Sequence, residues 1–156
     1  MASLDEKMER YLARFAAKEP DWEMFEEARH EGNRRAAYRY VGPKTYRNRQ
    51  HNTIDEGTFN VSVMYVPPGQ GAPMHCHPHE EIFFVLKGYV TVFWEENGET
   101  CQRELGPLDL IFNPPNAMHG YRNHGVEPLW LQILVGGGTN ILPKYADPAL
   151  EAVKTT

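Results

Sequence analysis

The sequence has few cysteines, no cluster of basic residues and no long apolar run, and each of these absences excludes a class of protein. Only Cys76 and Cys101 are present, which is too few for a framework of disulfides. The formal net charge is −5 at pH 7 and no basic stretch would follow a phosphate backbone, so we expect no nucleic-acid partner. The longest apolar run, residues 82–86, is far too short to span a bilayer.

The first residues also lack the pattern of a secretory signal. The segment MASLDEKMERYL alternates charges and contains no apolar core. Free thiols suit a reducing compartment. These features predict a cytoplasmic protein without a membrane partner. The 156 residues are enough for one domain with a sizeable core.

Residues 1–44 are predicted to form a helical extension. Apolar residues between positions 4 and 15 recur at the spacing of one helix face. Ser3 and Glu6 have the spacing of a capping box, and a second short helix is predicted from Asp21. These helices would cover a sheet or a subunit interface, or else act as a lid over a site.

Residues 45–140 have the pattern of strands and turns. The segment TFNVSVMYV alternates apolar side chains, as a half-buried strand does. Asn97 and Gly98 separate two such runs, which predicts a two-residue hairpin. Short strands at close spacing without helices between them predict an all-β antiparallel barrel or sandwich. Residues 141–156 are predicted to be a C-terminal tail.

The stretch MHCHPHEE sets histidines on alternate positions before a strand. In a strand, residues two apart point to the same face, so His75 and His77 look the same way and Cys76 looks away. A turn at Pro78 lets Glu81 return a carboxylate to the same spot. Imidazole and carboxylate together suit a first-row transition metal.

The spacing of these residues resembles the two signatures of the cupin superfamily. The first, G-x5-H-x-H-x3/4-E-x6-G, matches at Gly69, His75, His77, Glu81 and Gly88. The second, G-x5-P-x-G-x2-H-x3-N, matches at Pro114, His119 and Asn123, with Leu108 and Asn116 where glycines belong. The resemblance implies a small antiparallel β-barrel of the jelly-roll type with a metal inside.

The cupin resemblance also implies the metal ligands. They would be His75, His77, Glu81 and His119, holding one divalent transition metal per chain. Fe(II) is favoured over manganese, nickel or zinc, because these donors leave positions open for substrate and dioxygen. The alternative is a barrel that keeps the residues and binds no metal. His79 is predicted to be an exposed turn residue, with a role facing the substrate as the alternative.

Several further residues are candidates for the wall of a substrate pocket. The polar candidates are Arg47, Arg49, Asn113 and Gln132. An arginine in the pocket would pair with a substrate carboxylate, whereas the alternative for both arginines is a solvated edge strand. Apolar walls are expected from Phe83, Phe93, Trp94, Phe112 and Trp130.

The favoured function is a non-haem Fe(II) dioxygenase acting on a small aromatic or oxygenated organic substrate. One alternative is an isomerase or lyase that uses zinc, nickel or manganese at the same site. Another is a module that binds a small molecule without turnover. The fold by itself does not choose among these reactions. Small cupins of one barrel usually pair, which predicts a homodimer.

Overall fold

The computed structural model describes residues 2–42, 52–55, 57–137 and 142–153. Its helices are α1 (Leu4–Glu9) and α2 (Pro148–Val153), with 3₁₀ turns at Phe15–Ala17 and Glu26–Arg29. In these ranges no helix is long and apolar enough to cross a membrane. The strands in chain order are β1 (Ala36–Val41), β2 (Phe59–Val66), β3 (Gly71–Cys76), β4 (Glu81–Lys87), β5 (Val90–Glu96), β6 (Glu99–Leu105), β7 (Leu110–Asn113), β8 (Met118–Arg122), β9 (Leu129–Gly136) and β10 (Lys144–Tyr145).

The strands form two five-stranded sheets, and neighbouring strands are antiparallel. One sheet has the order β1-β2-β9-β4-β7 and the other β10-β3-β8-β5-β6. Alternate residues of these strands point between the sheets, as the two-residue period of a strand requires. The predicted all-β antiparallel barrel is therefore confirmed. Its core includes Met64, Val66, Phe83, Val85, Val92, Tyr121, Leu129, Leu131 and Ile133.

The N-terminal segment contains less helix than its pattern predicts. The capping box is present: Ser3 Oγ accepts from the Glu6 amide at 3.1 Å and Glu6 Oε2 accepts from the Ser3 amide at 2.7 Å. However, α1 has only six residues and none is buried, so little packing supports a longer helix. Asp21 does not begin a second helix but exchanges backbone hydrogen bonds with Ala37.

Strand β1 lies inside the segment whose pattern predicts helix. It pairs with β2 over its whole length, with one irregularity in register after Arg39. Tertiary pairing has overridden local preference here, because β1 completes one edge of a sheet. The predicted boundaries at residues 44 and 140 lie outside the described residues.

The predicted hairpin and the second cupin signature both contain turn residues with a left-handed backbone conformation. Asn97 and Gly98 have φ of 54° and 82°, as the predicted hairpin between β5 and β6 requires. Asn116 and Leu108, which replace glycines of the second signature, have φ of 64° and 73°. Asparagine tolerates this conformation, whereas leucine is strained in it. The Leu108 amide donates to the Val85 carbonyl at 2.8 Å, which holds the turn in place.

Candidate metal centre

Three imidazoles and one carboxylate converge inside the barrel. His75 comes from β3, His77 from the following turn, Glu81 from the start of β4, and His119 from β8. One ligand atom from each residue lies within 4.8 Å of the others. His77, Glu81 and His119 are buried and His75 is partly exposed. The structure thus brings together all four residues that the cupin resemblance implies as ligands.

Each imidazole is oriented by a backbone carbonyl at Nδ1. The acceptors are the carbonyls of Pro73 at 2.8 Å for His75, His79 at 2.9 Å for His77, and Ala117 at 2.8 Å for His119. A carbonyl oxygen only accepts, so Nδ1 carries the proton and Nε2 keeps its lone pair. Backbone partners of this kind set the tautomer and ring orientation that a metal ligand needs.

The carboxylate of Glu81 joins the histidines at the centre. Its Oε2 lies 2.8 Å from His119 Nε2 and 3.2 Å from His77 Nε2. With the protons on Nδ1, lone pairs would face each other across these short contacts unless a cation lies among them. A divalent metal ion bound to these atoms satisfies all of them at once, so the donor set fits such an ion.

The electrostatics of the centre keep the ligands in the forms that bind metal. Burial opposes ionisation of Glu81, but its close contacts with His119 and His77 outweigh burial and lower the pKa of Glu81 to about 2. Burial, reinforced by the nearby His119, lowers the pKa of His75 to about 4. At neutral pH the centre therefore offers an ionised carboxylate and a neutral His75 imidazole.

A cavity of about 160 Å³ adjoins the centre. Its volume is close to that of an engineered cavity of about 150 Å³ that holds benzene, so it suits a small organic molecule. The wall combines both sheets with parts of the N-terminal and C-terminal segments. Its lining includes Phe25, Glu27, Arg35, Arg39, Asn60, Ser62, Phe83, Tyr121, Val135 and Tyr145, together with His75, His77 and Glu81.

Tyr121 brings an unpaired hydroxyl to the cavity wall. It follows His119 by two positions on β8, so both side chains enter the barrel. Its side chain is 1% exposed, and its hydroxyl has no hydrogen-bond partner among the described residues. Burial raises the pKa of Tyr121 to about 12, while the charge of Arg35 acts in the opposite direction. A buried hydroxyl without a partner is costly, so a ligand or water is its expected partner.

A buried ion pair ties the N-terminal segment to the cavity. Glu27, on the 3₁₀ turn Glu26–Arg29, accepts from the Arg35 guanidinium and from the Tyr145 hydroxyl. Arg35 also donates to the carbonyls of Asn33 at 2.9 Å and Gly71 at 3.2 Å. The positive charge of Arg35 and the negative charge of Glu27 neutralise each other. The N-terminal segment therefore covers the site as well as part of a sheet.

Of the other predicted polar candidates, two lie outside the described residues and two are not in the described lining of the cavity. Arg47 and Arg49 lie outside the described residues. Asn113 is buried, but its Oδ1 accepts from Trp94 Nε1 at 2.8 Å, and the described lining of the cavity does not include it. Gln132 does not belong to that lining either. It lies between the inward residues Leu131 and Ile133 and therefore points to the other face of its sheet.

Of the five aromatic side chains predicted for the wall, Phe83 lines the cavity. In the described part of the chain, the cavity lining does not include Phe93, Trp94, Phe112 or Trp130. Phe112 is 51% exposed and Trp94 39% exposed. Trp94 is the partner of His119 on β8 and shares its face, where its Nε1 donates to Asn113 Oδ1. The residue pattern identifies the other three side chains as apolar but does not establish which face of each strand is inside. Tyr121 could have been found, because it shares strand parity with His119.

The fold, the site and a family comparison agree on the class of protein. A cupin domain model matches residues 62–135. The chain belongs to the cupin superfamily, and its four-residue cluster is able to hold a metal ion.

Two curated proteins match part of the sequence. The dimethylsulfoniopropionate lyase DddQ of Ruegeria pomeroyi is 34% identical over 86 residues, which are 55% of this chain and 41% of that protein. Auxin-binding protein 1 of Arabidopsis thaliana is 32% identical over 73 residues, or 44% of this chain and 37% of that protein. The chain spans about two fifths of the length of the curated relatives that it matches.

Solved structures are similar over a larger part of the chain. The crystal structure of DddQ from Ruegeria pomeroyi superposes with a TM-score of 0.59 at 28% identity, covering 73% of this chain and 52% of that one. A cupin 2 domain-containing protein from Halorhodospira halophila has a TM-score of 0.58 at 21% identity, covering 83% and 81%. At 21% identity, the second similarity shows a common fold and nothing more.

Proposed function

We propose that the protein is a metal-dependent lyase that eliminates a leaving group from a small organic acid. The observation that carries this proposal is a four-ligand centre that shares a cavity with the buried, unpaired hydroxyl of Tyr121. The similarity to a dimethylsulfoniopropionate lyase supports this reaction class. The aligned region is a minor part of that enzyme, so its substrate is not assigned to this chain. It is the first compound to test.

The chain's residues would divide the work of an elimination between them. A divalent ion held by His75, His77, Glu81 and His119 supplies Lewis-acid activation of a substrate oxygen when bound. Tyr121 is assigned to proton transfer. Its ionised oxygen would accept the proton from the carbon next to the carboxylate. The electron pair of the broken C–H bond would form the double bond, and the β-substituent would leave with the electron pair of its own bond to carbon. Burial disfavours that ionised form, and the nearby Arg35 charge offsets only part of this effect.

The Fe(II) dioxygenase predicted from the sequence remains the second candidate. It uses the same centre, and the absence of a thiolate among the four clustered residues favours iron over structural zinc. Three histidines and one carboxylate leave positions for a substrate oxygen and dioxygen. Unlike the lyase, this enzyme requires dioxygen for every turnover.

Oxygen dependence and metal preference separate the candidates. The metal-free protein is reconstituted with Zn²⁺, Ni²⁺ or Mn²⁺, and with Fe(II) under anaerobic conditions, and each form is assayed with and without dioxygen. Each form is incubated with dimethylsulfoniopropionate and with other acids that carry a β leaving group, and the alkenoic acid and any oxygenated product are measured by NMR. The lyase predicts product without dioxygen. Product that appears only with Fe(II) and dioxygen supports the dioxygenase, and binding without product supports a binding module.

A further inference from the structure

The outer face of the sheet that contains β9 carries apolar side chains across several strands. These residues alternate with the inward-pointing side chains of the barrel. One row of strand partners consists of Leu134, Ile82 and Phe112. The next row consists of Tyr38, Val63, Gln132, Phe84 and Leu110, one from each strand of the sheet. Neither row contains a charged side chain, and Gln132 lies on the middle strand of the five.

The N-terminal segment covers one end of this outer face, near β1. The centroid of the Phe15 ring lies 5.0 Å from that of Tyr38 and 5.6 Å from that of Trp130. At the opposite edge, on β7, the face is open, since Leu110 is 48% exposed and Phe112 is 51% exposed. The described part of the chain therefore covers its own apolar face only in part.

The outer face is large enough to form a specific interface. It spans five strands spaced by about 4.8 Å and three rows about 7 Å apart, the third of which contains Tyr65 and Trp130. Its outline measures about 20 Å by 20 Å, or roughly 400 Å², and the relief of the side chains makes its accessible area larger. A specific interface buries about 500 Å² or more on each partner. Open apolar patches of this size are rare on monomeric proteins.

The position of Gln132 favours a second copy of this chain as the partner. In an interface with twofold symmetry, a residue on the axis meets the same residue of the other copy. The amide of glutamine both donates and accepts hydrogen bonds, so two copies satisfy each other, whereas two copies of a charged residue would repel. Gln132 is half-buried in the middle of the face, and its neighbours on both sides of the row are apolar.

We propose that the outer face joins two copies of the chain about a twofold axis that passes beside Gln132. The two Gln132 amides pair on the axis, and the apolar rows pack around them as the uncharged core of the interface. This inference locates the interface of the predicted homodimer. It goes beyond the proposed function and does not depend on it, because Gln132 and its row point to the side of the sheet away from the cavity.

Variants of opposite charge at position 132 test the axis directly. Size-exclusion chromatography with light scattering measures the mass at micromolar concentration, and the parent protein should give twice 17.9 kDa. Gln132→Glu and Gln132→Lys should each weaken the dimer at least tenfold, because two like charges would meet on the axis. An equimolar mixture of the two variants should restore the dimer, because opposite charges then meet there.

Two further variants separate the interface from a general effect of charge or folding. Gln102→Glu is the matched control, because it adds the same charge at an exposed position on β6, in the other sheet, and should leave the dimer unchanged. Phe112→Glu places a charge at an exposed position of the outer face and should weaken the dimer at least tenfold. It decides the outcome if the variants at position 132 do not keep the circular dichroism spectrum of the parent protein.

Three results would overturn the proposal. A parent protein with a mass near 17.9 kDa would leave the outer face to a partner other than a second copy. A dimer that persists in both Gln132→Glu and Phe112→Glu would place the interface elsewhere on the molecule. Folded variants at position 132 that are monomeric both alone and when mixed would show that Gln132 does not lie on the axis.

Discussion

His75 and His119 are direct partners across the antiparallel pair of β3 and β8, with ring centroids 4.6 Å apart. Each donates Nδ1–H to a carbonyl two residues earlier in the chain, at 2.8 Å. The two rings are therefore oriented by the same kind of hydrogen bond to a backbone carbonyl, on facing strands. This pairing places Nε2 of both rings at the centre with Glu81.

Metal content should depend on these rings and not on the neighbouring turn histidine. We expect His75→Ala and His119→Ala each to lower the bound metal sharply, because each removes one of the four clustered donors. His79→Ala is the matched control, since His79 contributes its backbone carbonyl to His77 and that carbonyl is retained. Elemental analysis of the purified proteins provides the measurement. Loss of metal from His79→Ala alone would contradict the ligand assignment.

Tyr121→Phe should lower the catalytic rate without lowering the stability of the folded protein. Removing the hydroxyl should lower kcat by a factor of about 10² to 10⁴, the usual contribution of a positioned proton-transfer group. The melting temperature should stay the same or rise, because a buried hydroxyl without a partner is removed. Tyr89→Phe, at a tyrosine that is 59% exposed, is the control for both measurements. Unchanged kcat in Tyr121→Phe, with metal content intact, would remove Tyr121 from the mechanism.

The buried pair of Glu27 and Arg35 should make stability depend on pH in the acid range. Burial opposes ionisation of Glu27, but Arg35 and other hydrogen bonds hold its folded-state pKa below the ordinary 4.5. A lowered folded-state pKa stabilises the protein above the unfolded-state value, and this contribution is lost as the pH falls through the folded-state pKa. Glu27→Gln should reduce the free energy of unfolding at pH 7 by about 3 kcal/mol, and by less in acid.

Urea denaturation at pH 7 and in the acid range measures this dependence. Glu23→Gln is the matched control, because Glu23 pairs with Arg29 at 2.8 Å on the exposed surface. Its loss should change the free energy of unfolding by less than about 1 kcal/mol. A Glu27→Gln variant that loses the same stability at every pH would show that ionisation of Glu27 is not the cause.

The substitution Leu108→Gly should make the folded protein more stable. Its φ of 73° strains a leucine, and its side chain is 75% exposed, so little packing is lost on removal. Relief of strain, offset by the greater freedom of glycine in the unfolded chain, should stabilise the protein by up to about 1 kcal/mol. Leu110→Gly, in the adjacent strand β7, should destabilise it instead. Thermal denaturation of both variants checks the opposite signs.

The homodimer stays a prediction from the sequence, and the described surface offers apolar groups that association would bury. Light scattering should give twice the 17.9 kDa of one chain at micromolar concentration. Met8→Glu should weaken the dimer if α1 takes part, because Met8 is 62% exposed on that helix. A mass near 17.9 kDa for the parent protein would contradict the prediction. The exposed apolar residues of the N-terminal segment are Leu4, Met8, Tyr11, Leu12 and Phe15.

The sequence by itself determined the features that depend on neighbouring residues. The capping box of Ser3 and Glu6 and the Asn97-Gly98 hairpin follow from local geometry, and the structure contains both. The metal cluster was also predictable, because His75 and His77 share one strand face and the cupin spacing implies the other two ligands. Local spacing and a family pattern are both properties of the chain before it folds.

Only the tertiary structure decided which side chains form the cavity. Gln132 carried the right chemistry, but inward orientation depends on how distant strands pair, and a shift of one residue reverses it. Asn113 faces inward as the partner of Glu81, but its Oδ1 accepts from Trp94 Nε1. Arg39 lies in a segment whose pattern predicts helix, so its place beside Asn60 could not be foreseen before β1 joined β2. Pairing between residues far apart in the chain, which local preferences do not specify, set the shape and charge of the site.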